Sequence, residues 1–204
     1  MSAYAAVAEP FTRHPGHDGH ETRVRINPGG HYVTSRGREM LVTVLGSCVA
    51  ACIRDPFAKI GGMNHFMLPQ SDNGAWGIAS ASLRFGNFAM ERLINDILSN
   101  GGSRQNLEIK VFGGASIIGN GAQVGLRNAD FVETYLREEG LPIAAANLRG
   151  AHARCIHYFP RNGLVRMLEM PLVEPDVARI ETNYVARLGM EPVAGSIELF
   201  EQGR

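Results

Sequence analysis

A chain of 204 residues is long enough to fill one hydrophobic core, and its composition, 45% hydrophobic and 20% charged, is typical of a globular protein. It has no apolar stretch near the roughly 18 residues that a membrane-spanning helix needs, so we do not expect a membrane span. The 20 basic and 20 acidic residues cancel and are interspersed, which argues against nucleic acid as the main partner. Three cysteines, an odd number, fit reduced thiols, and the N-terminus does not resemble a secretory signal, so we expect a cytoplasmic protein.

Residues 1–22 are rich in Ala, Gly, His and Pro and have no steady apolar period, which predicts a flexible N-terminal arm. Three histidines recur there at every third position: His14, His17 and His20. No other type of metal ligand is clustered with them, so we interpret them as solvated side chains and predict no metal site.

Three short apolar runs follow the arm, and each ends at a residue that breaks a strand. The first, MLVTVLGS at 40–47, is rich in β-branched residues and predicts a buried strand that ends at Gly46. The second, VAACIRD at 49–55, and the third, AKIGGMNHFMLP at 58–69, have the same character. We therefore expect consecutive strands, whose ends carry the first candidates for chemistry.

Helical patterns appear in the second half of the sequence. A polar, glycine-rich loop is predicted at 70–81, and a helix is predicted at 85–100 from its regularly spaced apolar pairs. NADFVETYLREEG predicts a second amphipathic helix, with Asn128 as its N-cap and Gly140 as its terminator.

The end of the sequence predicts a hairpin and one more helix. RCIHYFPRNGLVRMLEMP has turn residues at 160–163, between two strand-like runs. Residues 175–188 place apolar side chains on one helix face, with a proline in the first turn. These patterns predict one globular domain over residues 23–172, followed by a C-terminal helix and tail over 173–204.

Cys48 and His65 are the candidates for catalysis. A thiol is a good nucleophile only when a neighbouring imidazole or a helix N-terminus populates its thiolate. The sequence LGSC suits a sharp turn, at which the N–H groups of Ser47 and Val49 would bind an oxyanion. Taken alone, each candidate fits a structural interpretation better, as a buried thiol and as a histidine bonded to a backbone carbonyl. Together they favour a catalytic pair, because both follow apolar strands, and both interpretations stay open at this point.

The remaining motifs argue against metal and nucleotide sites. Cys52 forms a C-x₃-C pair with Cys48, which has neither the spacing of a redox motif nor a second pair to complete a zinc site, and Cys155 lies in the predicted hairpin. We interpret both as packing residues. FGGASIIGNGAQVG lacks the ending of a P-loop, so Gly113 and Gly114 indicate a close approach of backbone to backbone or to substrate. We predict no metal and no cofactor.

Four separated motifs, TVLGSCVAACIRDP, GGMNHFMLP, KVFGGA and RNADFV, occur in this order along the chain. Together they resemble the CheD family of chemoreceptor glutamine deamidases over about residues 30–170. The resemblance implies an α+β fold, with a β-sandwich core of mixed sheets and helices packed outside, similar to the catalytic domains of deamidating bacterial toxins. It also implies a catalytic triad that maps onto Cys48, His65 and Thr43, and a glycine where this chain has Arg149.

The activity implied by the resemblance is that of a protein-glutamine glutaminase. It would hydrolyse particular glutamine side chains of methyl-accepting chemotaxis receptors to glutamate through a cysteine thioester. The implied partners are the cytoplasmic region of those receptors and a CheC-type phosphatase. An alternative of another class is an adaptor that binds both partners with little catalysis of its own, and a third is a cysteine peptidase. Deamidation that is lost when Cys48 or His65 is changed would distinguish the enzyme from the adaptor.

Overall fold

The computed structural model describes residues 9–15, 21–68, 76–116, 121–170 and 183–184. Its strands are β1 Phe11–Pro15, β2 Thr22–Ile26, β3 His31–Thr34, β4 Glu39–Leu45, β5 Val49–Asp55, β6 Ile60–Asn64, β7 Glu108–Gly113, β8 Ile143–Leu148, β9 Ala153–Phe159 and β10 Leu164–Met170. Its helices are α1 Trp76–Ser99, α2 Gly121–Glu138 and a short 3-10 helix at Arg104–Asn106. No helix in this part of the chain combines the length and the hydropathy that a membrane crossing requires.

The strands form two sheets of five. The first sheet has the order β1-β2-β4-β9-β10, and the second has the order β3-β6-β5-β7-β8. Each is mixed, because β2 runs parallel to β4 and β7 runs parallel to β8, while the other neighbours are antiparallel. The chain passes from the first sheet to the second directly between β4 and β5, at the residues that contain Cys48.

Two hydrophobic clusters lie on opposite faces of the second sheet. Along β5, Val49, Ala51 and Ile53 pack against the cluster that includes α1 and α2. The alternate side chains Ala50 and Cys52 face the first sheet. This alternation is the period of two that a strand imposes on its side chains. The α+β fold, with a β-sandwich core of mixed sheets and helices packed outside, is therefore confirmed.

A buried carboxylate joins the turn after β5 to the loop after α1. Asp55 accepts hydrogen bonds from the backbone N–H groups of Phe57, Ala58 and Ser103 at 2.8, 3.0 and 2.8 Å, and from the Asn106 side chain at 3.3 Å. Burial raises the pKa of Asp55, but these hydrogen bonds to its ionised form outweigh burial and leave the pKa below its ordinary value.

The prediction of a flexible arm over residues 1–22 is wrong for part of that range. Residues 11–15 form β1, which pairs with β2 in an antiparallel ladder, and Thr22 already belongs to β2. The ladder satisfies the backbone of a segment whose own composition predicts no strand. Residues 1–8 and 16–20 lie outside the described residues.

Both helices begin earlier than the sequence predicts. α1 starts at Trp76, inside the loop predicted at 70–81, and residues 69–75 lie outside the described residues. α2 starts at Gly121, so Asn128 lies in the helix interior and the N-cap prediction is wrong. The central residues of both helices pack into the cluster against the second sheet, and helices stabilised by such packing are not limited to the bounds of their local sequence signals.

The predicted hairpin is confirmed, since β9 and β10 pair across a turn at 160–163. The helix predicted at 175–188 lies outside the described residues, except for residues 183–184, which are helical. Tyr184 is buried in the cluster between the two sheets, and its ring lies over the Gly29 turn. The predicted boundary at 172 stays a prediction.

Candidate active site

Cys48 lies at a turn between two strands, not at the N-terminus of a helix. Its carbonyl accepts a hydrogen bond from the Gly114 N–H at 2.7 Å, and the Gly46 carbonyl accepts one from the Ala115 N–H at 2.8 Å. Gly113 has a φ of 111°, and a Cβ there would lie 2.1 Å from the Cys48 carbonyl oxygen. The prediction that this glycine pair allows a close approach of backbone to backbone is confirmed, and the approach is to the candidate nucleophile itself.

The backbone of His65 is fixed directly after β6. Its N–H donates to the Gly30 carbonyl at 2.9 Å, and its carbonyl accepts from the Gly29 N–H at 2.7 Å. The next residue, Phe66, exchanges two backbone hydrogen bonds of 2.9 Å with Val49, the residue after Cys48. The segments that carry Cys48 and His65 are therefore hydrogen-bonded to each other.

That pairing places Cys48 and His65 on the same face. Val49 and Phe66 are directly opposite, and both pack toward the helices. Because side chains alternate along extended backbone, the preceding residues of the two segments face the first sheet. In this antiparallel register Cys48 and His65 are diagonal neighbours, whose Cα atoms lie about 7–8 Å apart in a regular ladder and are within reach of long side chains. Their exposed fractions are 0% and 2%.

Thr43 contacts His65 from the first sheet. In β4 the side chains of Leu41, Thr43 and Leu45 are buried, while Val42, between the first two, is half-buried on the other face. The Thr43 hydroxyl oxygen lies 2.7 Å from His65 Nδ1 and donates its hydrogen to the Ile26 carbonyl at 3.0 Å. The structure thus brings Thr43 and His65 together, as the resemblance implies.

These contacts indicate the tautomer of His65. A hydroxyl has one hydrogen, and with that hydrogen assigned to the Ile26 carbonyl, Thr43 accepts a hydrogen bond from His65 and the ring hydrogen lies on Nδ1. The second nitrogen, Nε2, then carries a lone pair. It is buried and has no hydrogen-bond partner among the described residues. This nitrogen is suited to act as a base.

The environment of His65 favours its neutral form. Burial is the main cause that lowers its pKa from 6.5 to about 4. The nearby Ile26 carbonyl opposes this shift of the pKa, and the positive charge of Arg25 adds to it. At neutral pH the imidazole is therefore unprotonated, as a general base must be.

The two predicted oxyanion donors differ in the structure. The Val49 N–H already donates to the Phe66 carbonyl at 2.9 Å, so the structure contradicts its predicted role as an oxyanion donor. This N–H is not available to an oxyanion because it forms part of the β-bridge between the Cys48 and His65 segments. Ser47 is buried next to Cys48, and its role as an oxyanion donor stays a prediction.

A loop from β8 to β9 packs against the Gly113 turn. Arg149 has a φ of 69°, in the region that favours glycine, and its guanidinium binds Asp130 and Glu133 of α2 at 2.5 and 2.6 Å. Arg154 is buried and donates to the carbonyl groups of Arg149 and Gly113. Ion pairs to α2 thus hold the side chain of Arg149, which stands where the resemblance implies a glycine.

The other cysteines have the environment of packing residues. Cys52 is 1% exposed between the sheets, and burial raises the pKa of its thiol well above the ordinary value. Burial also raises the pKa of Cys155. All three cysteines are free. The described residues contain no cluster of three or more His, Cys, Asp or Glu side chains that could hold a metal ion.

Comparison with known proteins connects this geometry to a family. The family model described as CheD chemotactic sensory transduction matches residues 67–169. A relative from Rhodopseudomonas palustris (strain BisA53), named probable chemoreceptor glutamine deamidase CheD, is 61% identical over 178 residues, which cover 87% of this chain and 84% of the relative. The chain belongs to the CheD family. A relative of the same name from Hahella chejuensis is 46% identical to this CheD-family chain and covers 86% of it and 84% of its own length.

Solved structures resemble the chain only weakly. A Neisseria meningitidis protein of family DUF152 has a TM-score of 0.34 and 10% identity, over 59% of this chain and 52% of its own. This likeness is too low to support an argument about the CheD-family chain. The family-model match begins after Thr43, Cys48 and His65, so the geometry of these three residues is the evidence for the site.

Proposed function

We propose that this CheD-family protein is a protein-glutamine glutaminase that deamidates chemoreceptors. Its relatives are named probable chemoreceptor glutamine deamidases, and the arrangement of Cys48, His65 and Thr43 supports cysteine hydrolase chemistry. The observation that carries the proposal is the 2.7 Å contact between Thr43 Oγ1 and His65 Nδ1, which leaves the buried Nε2 on the opposite edge of the ring. The substrates are glutamine side chains in the cytoplasmic region of methyl-accepting chemotaxis receptors.

The first half of the reaction forms a thioester. His65 Nε2 takes the proton from Cys48 Sγ as the sulfur attacks the carboxamide carbon of the glutamine. The C–N bond then breaks, and protonated His65 gives its proton to the leaving nitrogen, which departs as ammonia. Thr43 holds Nδ1–H throughout, so the ring keeps its orientation while Nε2 gains and loses the proton.

The second half of the reaction consumes water. His65 Nε2 removes a proton from the water as its oxygen attacks the thioester carbon. The C–S bond breaks, and protonated His65 returns the proton to Sγ, which restores the thiol of Cys48. The products are glutamate and ammonia, and one water is consumed. Because Cys48 is 0% exposed, substrate entry requires the residues that cover it to move. The three free cysteines agree with a reducing compartment, and we propose the cytoplasm.

The test compares two buried cysteines. The purified protein is incubated with a receptor cytoplasmic fragment, and the mass gain that accompanies each change from glutamine to glutamate is measured. We expect Cys48→Ala to abolish the gain and Cys52→Ala, a matched control four residues away, to retain it in the fraction that is folded. Deamidation by folded Cys48→Ala would contradict the proposal. Cleavage of the receptor chain would instead indicate a peptidase, and tight binding without a mass gain would indicate an adaptor.

A CheC-type phosphatase is a second partner that the resemblance implies, and it stays a prediction. We would test it by measuring whether the purified phosphatase alters the deamidation rate or binds without affecting it.

A further inference from the structure

Asn128 joins the two segments that carry Cys48 and His65. It lies in the interior of α2 and is 0% exposed. Its side-chain amide donates from Nδ2 to the carbonyl of Ser47 at 2.8 Å, and its Oδ1 accepts from the N–H of Leu68 at 2.9 Å. Ser47 immediately precedes the candidate nucleophile, and Leu68 lies three residues after the candidate base.

Helix formation does not explain an asparagine at this position. Asparagine is a poorer helix former than alanine or leucine, and a buried amide costs free energy unless its donors and acceptor are bonded. Within the part of the chain that the structure describes, Asn128 recovers that cost through two partners outside its helix. The amide therefore serves the two segments that it bonds.

Two sets of hydrogen bonds hold those segments together. The paired backbones of Val49 and Phe66 connect them within the second sheet. Asn128 connects them again from the helix layer, one residue before Cys48 and two residues beyond Phe66. The two connections lie on either side of Cys48, at Ser47 and Val49, and together they hold the segment that follows His65. A displacement of about 1 Å between reacting groups can cost on the order of 100-fold in rate.

We propose that Asn128 is a positioning residue for deamidation, which holds the Cys48 turn and the segment after His65 in register. The inference rests on the proposed function. Asn128 acts through the backbone of its two partners and does not touch the substrate. Loss of its hydrogen bonds should therefore lower kcat and leave KM nearly unchanged.

The sharpest test is Asn128→Asp, read as a function of pH. The protonated carboxyl has the shape of the amide, and it can donate to the Ser47 carbonyl while accepting from Leu68. The ionised carboxylate keeps the acceptor but loses the donor, and it faces the Ser47 carbonyl oxygen with like partial charge. A carboxyl buried at this position has a raised pKa, so both forms are accessible near neutrality.

We expect the kcat of Asn128→Asp to approach that of the unchanged protein near pH 5 and to fall by about 100-fold relative to it at pH 8. The segments that Asn128 bonds contribute two titratable groups, Cys48 and His65, which are present in both proteins. On its own helix, the nearest charged residues are Arg127 and the exposed Asp130. We would therefore measure the ratio of the kcat of Asn128→Asp to the kcat of the unchanged protein at each pH. The effects of the groups that both proteins share largely cancel in this ratio.

Two further variants keep the test decisive. Val132→Ala removes buried volume one turn along the same helix face and leaves the hydrogen bonds of Asn128 to Ser47 and Leu68 in place, so it should lower stability and leave kcat per folded molecule unchanged. Asn128→Ser removes both long-range bonds without adding charge, and it should lower kcat at every pH. Thermal unfolding measures the folded fraction of each variant.

The outcomes separate the two proposals. Full kcat in folded Asn128→Asp and Asn128→Ser at pH 8 would overturn the positioning role. An equal loss of kcat in Val132→Ala would also overturn it, because stability alone would then account for the effect. Absence of deamidation by the unchanged protein would instead overturn the proposed function.

Discussion

Lowering the pH should destabilise the protein through His65. The pKa of this side chain is about 4 in the folded protein and 6.5 in the unfolded chain. Above about pH 6.5 neither state binds the proton. Between pH 6.5 and about 4 only the unfolded chain binds it, so the free energy of unfolding falls as the pH falls. At 1.36 kcal/mol per pH unit, the loss approaches about 3 kcal/mol at pH 4.

The assay is urea unfolding, followed by circular dichroism, at intervals from pH 8 to pH 4. His157 also has a pKa lowered by burial, and it contributes in the same range of pH. The comparison is therefore between the unchanged protein and His65→Gln, which both retain His157. We expect the difference between their free energies of unfolding to shrink by about 3 kcal/mol as the pH falls from 7 to 4. Parallel curves would refute the assignment of a buried, neutral imidazole.

Three other substitutions have definite expected outcomes. Thr43→Val, which is similar in shape, should lower kcat by about 10-fold to 100-fold, because His65 loses the hydroxyl that orients Nδ1; an unchanged kcat in the mass assay would contradict this. Gly113→Ala should reduce both stability and kcat, since its Cβ would lie 2.1 Å from the Cys48 carbonyl oxygen; wild-type kinetics and an unchanged Tm would show that the turn tolerates the side chain. Asp55→Ala removes the acceptor of four hydrogen bonds and should cost about 3 kcal/mol in urea unfolding, with KM unchanged; a changed KM would mean that the Asp55 turn acts on the site.

The inward orientation of Thr43 could be predicted from the sequence, because side chains alternate between the two faces of a strand. Thr43 shares a face with Leu41 and Leu45, two apolar neighbours at the spacing of a strand, and the structure places all three inside. Val42, one residue earlier, is on the opposite face. The pairing of Cys48 with His65 was less accessible, because strand ends indicate where side chains lie along a sheet but not which segments are bonded.

The predictions that failed share a physical cause, which is that their outcome depends on a distant partner. Val49 was expected to offer its N–H to a substrate, and the bridge to Phe66 uses it instead. Residues 11–15 form a strand because β2 offers them a ladder. In both cases the local sequence is compatible with either outcome, and the pairing decides between them.

Asn128 is the most informative of these failures. Its local sequence, a small polar residue before an amphipathic run, fits an N-cap as well as any in the chain, and an N-cap bonds the backbone of its own helix. The structure places its partners 81 and 60 residues away. When a residue occupies a position that its local conformational preference disfavours, we expect a role in function or packing that offsets the cost. The conflict between a helix-interior position and an asparagine side chain therefore points to the same conclusion as the hydrogen bonds, that this amide serves the Cys48 and His65 segments.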